Sequence, residues 1–191
     1  MTQVKAAELL HRNAEELRAL LVQITGLGSQ VAAAANGLAG AFLQGGRLLA
    51  CGNGGSAADA SHLTTEFVCR YNKDRRPYAA ISLATHGGDL TAIGNDYDFN
   101  EIFARQVEAF GRPGDVLMAF TTSGRSEDVR RALLKAKELG LLTVSFLGKD
   151  GGSCAGLADV ELLVRSETTA RIQETHKLLL HTICELAEEQ F

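Results

Sequence analysis

His62 and Glu66 stand four residues apart in CGNGGSAADASHLTTEF, a stretch that follows an apolar run and reads as a tight turn into a helix. At that spacing an imidazole and a carboxylate share one helix face and can reach one metal ion or one substrate; a solvated surface pair is the plain alternative. Further along, TTSGRSEDVRRALL sets the hydroxyls of Thr121, Thr122, Ser123 and Ser126 around one glycine at the start of another helix. Free backbone N–H groups and the positive helix end there suit a phosphate monoester. Ordinary capping, with Ser126 as N-cap and Asp128 in the first turn, accounts for the same residues. In the first loop Ser56 is expected as N-cap, and the spacing matches neither G-x-G-x-x-G nor G-x-x-x-x-G-K-[ST], so nucleotide binding is unsupported. The last helix, TARIQETHKLLLHTICELAEE, carries Ile172, Leu179, Ile183 and Leu186 as its buried seam. His181 falls opposite that seam, either solvated or turned toward a second surface such as a neighbouring subunit, whereas His176 lies nearer the seam and reads as structural.

These residues need elements to hold them. After Gly46, short apolar runs alternate with helices: strands are expected at Arg47–Cys51, Tyr78–Leu83, Val116–Thr121, Leu142–Leu147 and Val160–Val164, and helices start near Ser56, Asp89, Asn100, Ser126 and Thr169. Apolar strands spaced by helices imply right-handed crossovers and a parallel sheet covered on both faces, hence a three-layer α/β sandwich with a five-stranded parallel sheet. Gly52, Gly54, Gly55, Gly87, Gly88, Gly124, Gly148, Gly151 and Gly152 fall just beyond expected strand ends, where loops let backbone approach a ligand. Before the sheet, about 1–45 is helical. Residues 4–25 carry Leu10, Ala14, Leu17, Leu21 and Ile24 on one stripe, and Leu27–Gln44 carries Val31, Ala35, Leu38 and Phe42 before a Gly45-Gly46 stop. Such seams fit the domain's own core or another subunit.

With 46% hydrophobic residues and no low-complexity tract or linker, the 191 residues are expected to form a single domain, 1–191, and not a disordered chain. The formal charge of -4 argues against a nucleic-acid partner, and the longest apolar runs are far shorter than the roughly 20 residues of a membrane span. The charged N-terminus lacks a signal-peptide core, and Cys51, Cys69, Cys154 and Cys184 form no C-x-x-C pair, so a reduced cytoplasmic protein is expected.

Together, CGNGGSAADASHLTTEFVCRY, IGNDYDFNEIFARQVEAFGRPGDVLMAFTTSGRS, LGKDGG and ARIQETH resemble the phosphoheptose isomerases of the sugar-isomerase (SIS) domain superfamily, over nearly the whole chain. The resemblance implies a SIS sandwich with extra N-terminal helices, assembled as a homotetramer with the active site at a subunit interface and one Zn2+ per subunit. It implies conversion of D-sedoheptulose 7-phosphate to D-glycero-D-manno-heptose 7-phosphate through an enediol, the first step toward ADP-heptose and the lipopolysaccharide core. Carried over by position, the substrate contacts fall on Asn53, Gly54, Gly55, Asn95, Asp96 and Gln173, and the phosphate-binding hydroxyls on Thr121, Thr122, Ser123 and Ser126. The zinc ligands fall on His62, Glu66, Gln173 and His181, and Glu66, also a substrate contact, forms the acid/base pair with His181. Thr121 stands where relatives often have serine and keeps the hydroxyl; Ala170 stands where some have aspartate, which removes a polar contact to the sugar.

Gln173 and His181 are eight residues apart, about 12 Å of rise and about 80° of rotation on a straight helix. One small ion can hardly reach both from one chain, so a ligand from another subunit is expected. Two rival readings stand beside the enzyme: a non-catalytic superfamily scaffold that binds the bacterial replication initiator, which loses the metal and acid/base positions, and an isomerase of another phosphosugar.

Overall fold

The computed structural model describes residues 3–191. Five strands, β1 (Leu48–Gly52), β2 (Ala80–Ser82), β3 (Val116–Thr121), β4 (Leu142–Gly148) and β5 (Val160–Val164), form one sheet in the order β2-β1-β3-β4-β5 with every pairing parallel. Successive side chains point to opposite faces. Leu48, Ala50, Val116, Met118, Phe120, Val144 and Phe146 enter one core, while Leu49, Cys51, Leu117, Ala119 and Leu147 enter the other. Because both faces are apolar, both must be covered. The first core is closed by α1 (Gln3–Ile24), α2 (Gly28–Leu43), α3 (Gly55–Val68) and α7 (Thr169–Glu188), and the second by α4 (Gly87–Asp96), α5 (Ala104–Phe110) and α6 (Glu127–Glu138). The expected three-layer α/β sandwich with a five-stranded parallel sheet is the observed architecture.

Three local expectations need correction. The edge strand β2 is shorter than Tyr78–Leu83, because the Tyr78 N–H bonds to the Phe67 carbonyl instead of extending the ladder. The helix expected from Asn100 is a single 3₁₀ turn, Phe99–Glu101, followed by the short α5; the Asp98 carboxylate accepts from the Asn100 N–H at 2.7 Å and starts the turn there. On α1 the inner stripe runs through Leu9, Asn13, Leu17, Leu20 and Ile24, leaving Leu10 71% exposed and Ala14 outside. Leu20 and Ile24 of this face enter the core, and Arg171 of α7 donates to the Asn13 carbonyl at 3.3 Å. Leu21 is half-buried, and the seam expected on α2 is fully inside.

His176 joins α7 to the sheet. Its ring is completely buried against Phe120 and Phe146, with Nε2 3.1 Å from the Leu147 carbonyl at the end of β4. Burial pushes its pKa from the ordinary 6.5 down to about 4. Since the unfolded chain accepts the proton first, the stability held by the neutral ring is complete above pH 6.5 and is lost as pH falls from about 6.5 to about 4. His176→Gln, whose amide can still donate to Leu147, should flatten that part of the stability profile; urea midpoints measured across the interval in both proteins check this.

Candidate active site

The strand order reverses at β1. The chain leaves β1 through α3 on one face and leaves β3 through α6 on the other, which opens a crevice at the carboxyl ends of these two neighbours. The β1 loop turns through Gly54 at φ 55°, a conformation open to glycine, so that the N–H groups of Ser56 and Ala57 close on the carbonyls of Asn53 and Gly54. The helix therefore begins at Gly55, and the buried Ser56 is not the expected N-cap, a position taken by Gly54. The Gln173 amide occupies the space beside Gly55: a Cβ there would lie 2.0 Å from Gln173 Nε2.

At the end of β3, Thr121 Oγ1 lies 3.1 Å from Ser126 Oγ and 3.3 Å from Ser123 Oγ. The Gly124 N–H donates to Thr121 and the Arg125 N–H to Ser123, drawing the loop into a small ring of hydroxyls. Ser126 occupies the N-cap position but makes no capping bond; its hydroxyl turns toward Thr121. The capping reading thus holds for position, with Asp128 in the first turn, but not for the Ser126 hydroxyl. Thr122 is half-buried beside them, and its carbonyl faces Gly148. Across the crevice, Asn53 Nδ2 donates to Asp128 Oδ2 at 2.8 Å, tying the β1 loop to α6. Burial raises the Asp128 carboxyl above its ordinary value, and the bond from Asn53 offsets part of that rise.

On the other side α7 lies along α3. His62 Nε2 is 2.9 Å from Glu66 Oε1 and 3.0 Å from His181 Nε2, and all three ligand atoms fall within 4.8 Å of one another. Burial and then neighbouring His62 lower the His181 pKa, which favours the neutral ring. Two imidazoles and one carboxylate at this spacing form a donor set that suits zinc and leaves a fourth position open. The surface that His181 faces within this chain is α3. The Gln173 amide lies against Gly55, about two turns before His62 along α3. Asn95 and Asp96 are exposed at the end of α4, with Asn95 Nδ2 donating to Asp96 Oδ1 at 2.8 Å, away from His62 and its neighbours.

Two charged pairs escaped the sequence reading. Lys177 Nζ is 2.7 Å from Asp59 Oδ1 and 3.2 Å from His62 Nδ1. The signal was present in spacing alone: Asp59 precedes His62 by three and Lys177 precedes His181 by four, so each shares a helix face with a ligand. The second pair, Arg75 and Glu188, has no local pattern because the residues are 113 apart. Glu188 accepts from the backbone N–H groups of Tyr71, Asn72 and Lys73 and from Arg75 Nε, while Arg75 donates to the carbonyls of Glu66 and Phe67. Burial works to raise the Glu188 carboxyl, but these donors outweigh it and hold it below the ordinary range. The pair fixes the end of the helix that carries Glu66. Glu188→Gln should cost about 3 kcal/mol, because it weakens a buried charge and its hydrogen bonds together; chemical denaturation at neutral pH measures the loss.

Comparison with known proteins agrees with this fold. The SIS domain family model matches residues 13–148. The phosphoheptose isomerase of Aquifex aeolicus is 47% identical over 180 residues, covering 94% of this chain and 93% of that protein. That of Geotalea daltonii is 49% identical over 164 residues, covering 86% and 85%. Among solved structures, phosphoheptose isomerase GmhA of Neisseria gonorrhoeae superposes with a TM-score of 0.90 at 38% identity, covering 96% of this chain and 99% of that one. A phosphoheptose isomerase from Francisella tularensis gives 0.92 at 32% identity, covering 99% and 100%. The chain belongs to the SIS domain family and, within it, to the phosphoheptose isomerases.

Proposed function

We propose that this isomerase converts D-sedoheptulose 7-phosphate to D-glycero-D-manno-heptose 7-phosphate, the entry to ADP-heptose and the lipopolysaccharide core. The observation that carries the reading is the meeting of His62, Glu66 and His181 within 4.8 Å, on the α3–α7 side of a crevice whose other strand end carries a ring of hydroxyls. The scaffold reading loses these positions, and this chain keeps them.

The residues divide the work as follows. Thr121, Thr122, Ser123 and Ser126, with the first N–H groups of α6, bind the phosphate; hydroxyls and backbone donors serve in place of a basic patch. Asn53, Gly54 and Gly55 bring backbone close to the sugar, Gln173 extends its amide beside Gly55, and Asn95 and Asp96 supply further polar contacts. Isomerisation removes a proton from the carbon beside the carbonyl and returns one to its neighbour through an enediol. The Glu66 carboxylate and the His181 imidazole share these transfers; positioned acid/base groups of this kind contribute about 10²- to 10⁴-fold. A zinc ion held by His62, Glu66 and His181 would supply a Lewis acid that polarises the carbonyl. A homotetramer is supported by the apolar side chains that α1 leaves outside, Val4, Leu10 and Val22, together with Leu178 on α7. Four free cysteines suit a reducing cytoplasm.

A coupled isomerase assay over a panel of sugar phosphates tests the proposal. The seven-carbon ketose phosphate is expected to be the preferred substrate. Glu66→Gln and His181→Ala should each lower kcat by about 10²- to 10⁴-fold with an unchanged circular dichroism spectrum. Turnover of a hexosamine phosphate instead would replace the substrate, and full activity in Glu66→Gln would remove Glu66 from the chemistry.

A further inference from the structure

The acid/base scheme leaves Lys177 and Asp59 without a task. Asp59 is buried, and its Oδ2 has no hydrogen-bond partner among the described residues. Its Oδ1 holds the Lys177 ammonium at 2.7 Å, and that ammonium also stands 3.2 Å from His62 Nδ1. An ammonium has donors only. Facing Nδ1, it makes that nitrogen the acceptor, so the ring proton of His62 lies on Nε2. Yet Nε2 is the atom that meets Glu66 and His181, and a metal bound among the three needs its lone pair. Ligation therefore requires the single ring proton to move, through solvent, from Nε2 to Nδ1, with no net proton released, and at Nδ1 two donors would then oppose each other. Lys177 must then withdraw.

We propose that Lys177 is a positioning residue that holds His62 in the tautomer unable to ligate, and so weakens divalent-cation binding at His62, Glu66 and His181. The inference rests on the metal reading given above. Without Lys177, the Asp59 carboxylate, three residues before His62 on α3, loses its ammonium partner and is left to accept from the Nδ1–H of a ligating His62, the carboxylate–imidazole arrangement that strengthens zinc sites.

Zinc titration against a chromophoric chelator, on the wild type, Lys177→Met and the double variant D59N/K177M, tests this. Lys177→Met should bind zinc about tenfold more tightly, the scale of one lost hydrogen bond to a charged group. The double variant, which removes both charges and guards against misfolding of the single one, should also bind more tightly than the wild type. Nitrogen-15 spectra of labelled histidine in the metal-free wild type should place the His62 proton on Nε2. A proton on Nδ1, or affinity unchanged or weakened in the variants while the wild type binds zinc, overturns the role of Lys177. Absence of zinc binding in all three proteins overturns the metal reading itself, and this inference with it.

Discussion

Where α7 lies against α3, Gly55 puts no side chain between them, and the Gln173 amide fills the space a Cβ would need. This close approach carries through to the next two turns, where Lys177 meets Asp59 and His181 meets His62. Apolar packing holds the pair in place: Ala60, Leu63 and Phe67 of α3 and Ile172, Leu180 and Ile183 of α7 share one core with the sheet. Burying a large aliphatic or aromatic side chain contributes about 1.5–3 kcal/mol, so several together outweigh the cost of bringing two imidazoles, a carboxylate and an ammonium into contact. His176 from the same helix fixes its height against β4. The polar cluster is thus imposed by the apolar seam beside it.

The crevice has a separate origin in the strand order. Because β1 and β3 are neighbours whose helices depart to opposite faces, their two loops spread apart, and the Asn53–Asp128 bond sets the distance between them. Such a crevice is compatible with a chain of net charge -4 taking an anionic substrate. In the proposed function the phosphate is met by hydroxyls and by the first N–H groups of one helix end, so attraction is confined to a single spot and the acidic remainder of the surface is no obstacle.

Patterns that repeat over short distances were legible in the sequence. All five strands, the order of the major helices and the hydroxyl cluster at Thr121–Ser126 follow from period and local composition, and the similarity to phosphoheptose isomerases covers the same stretches. Features settled by distant partners were not. Leu9 or Leu10 can each begin an apolar stripe on α1, and the distant partners decide between them: Leu20 and Ile24 enter the core and Arg171 reaches Asn13. Ser56 has the chemistry of an N-cap, but the positive φ of Gly54 starts the helix two residues earlier. His181 reads as misplaced when α7 is considered alone, because the face opposite its apolar seam is covered by α3, a partner that helical periodicity cannot name. The clasp of Glu188 on the 71–73 backbone lies beyond any local window for the same reason.

The central claim is that His62, Glu66 and His181 act together within one chain. Subunit complementation addresses it directly: inactive Glu66→Gln and His181→Ala proteins are unfolded, mixed, refolded together and assayed for isomerase activity. If one chain supplies both groups, every chain in a mixed assembly carries a defective site, and activity should stay at the level of the separate variants. Recovery of a substantial fraction of wild-type activity would mean that Glu66 and His181 meet across a subunit boundary, and would contradict the account.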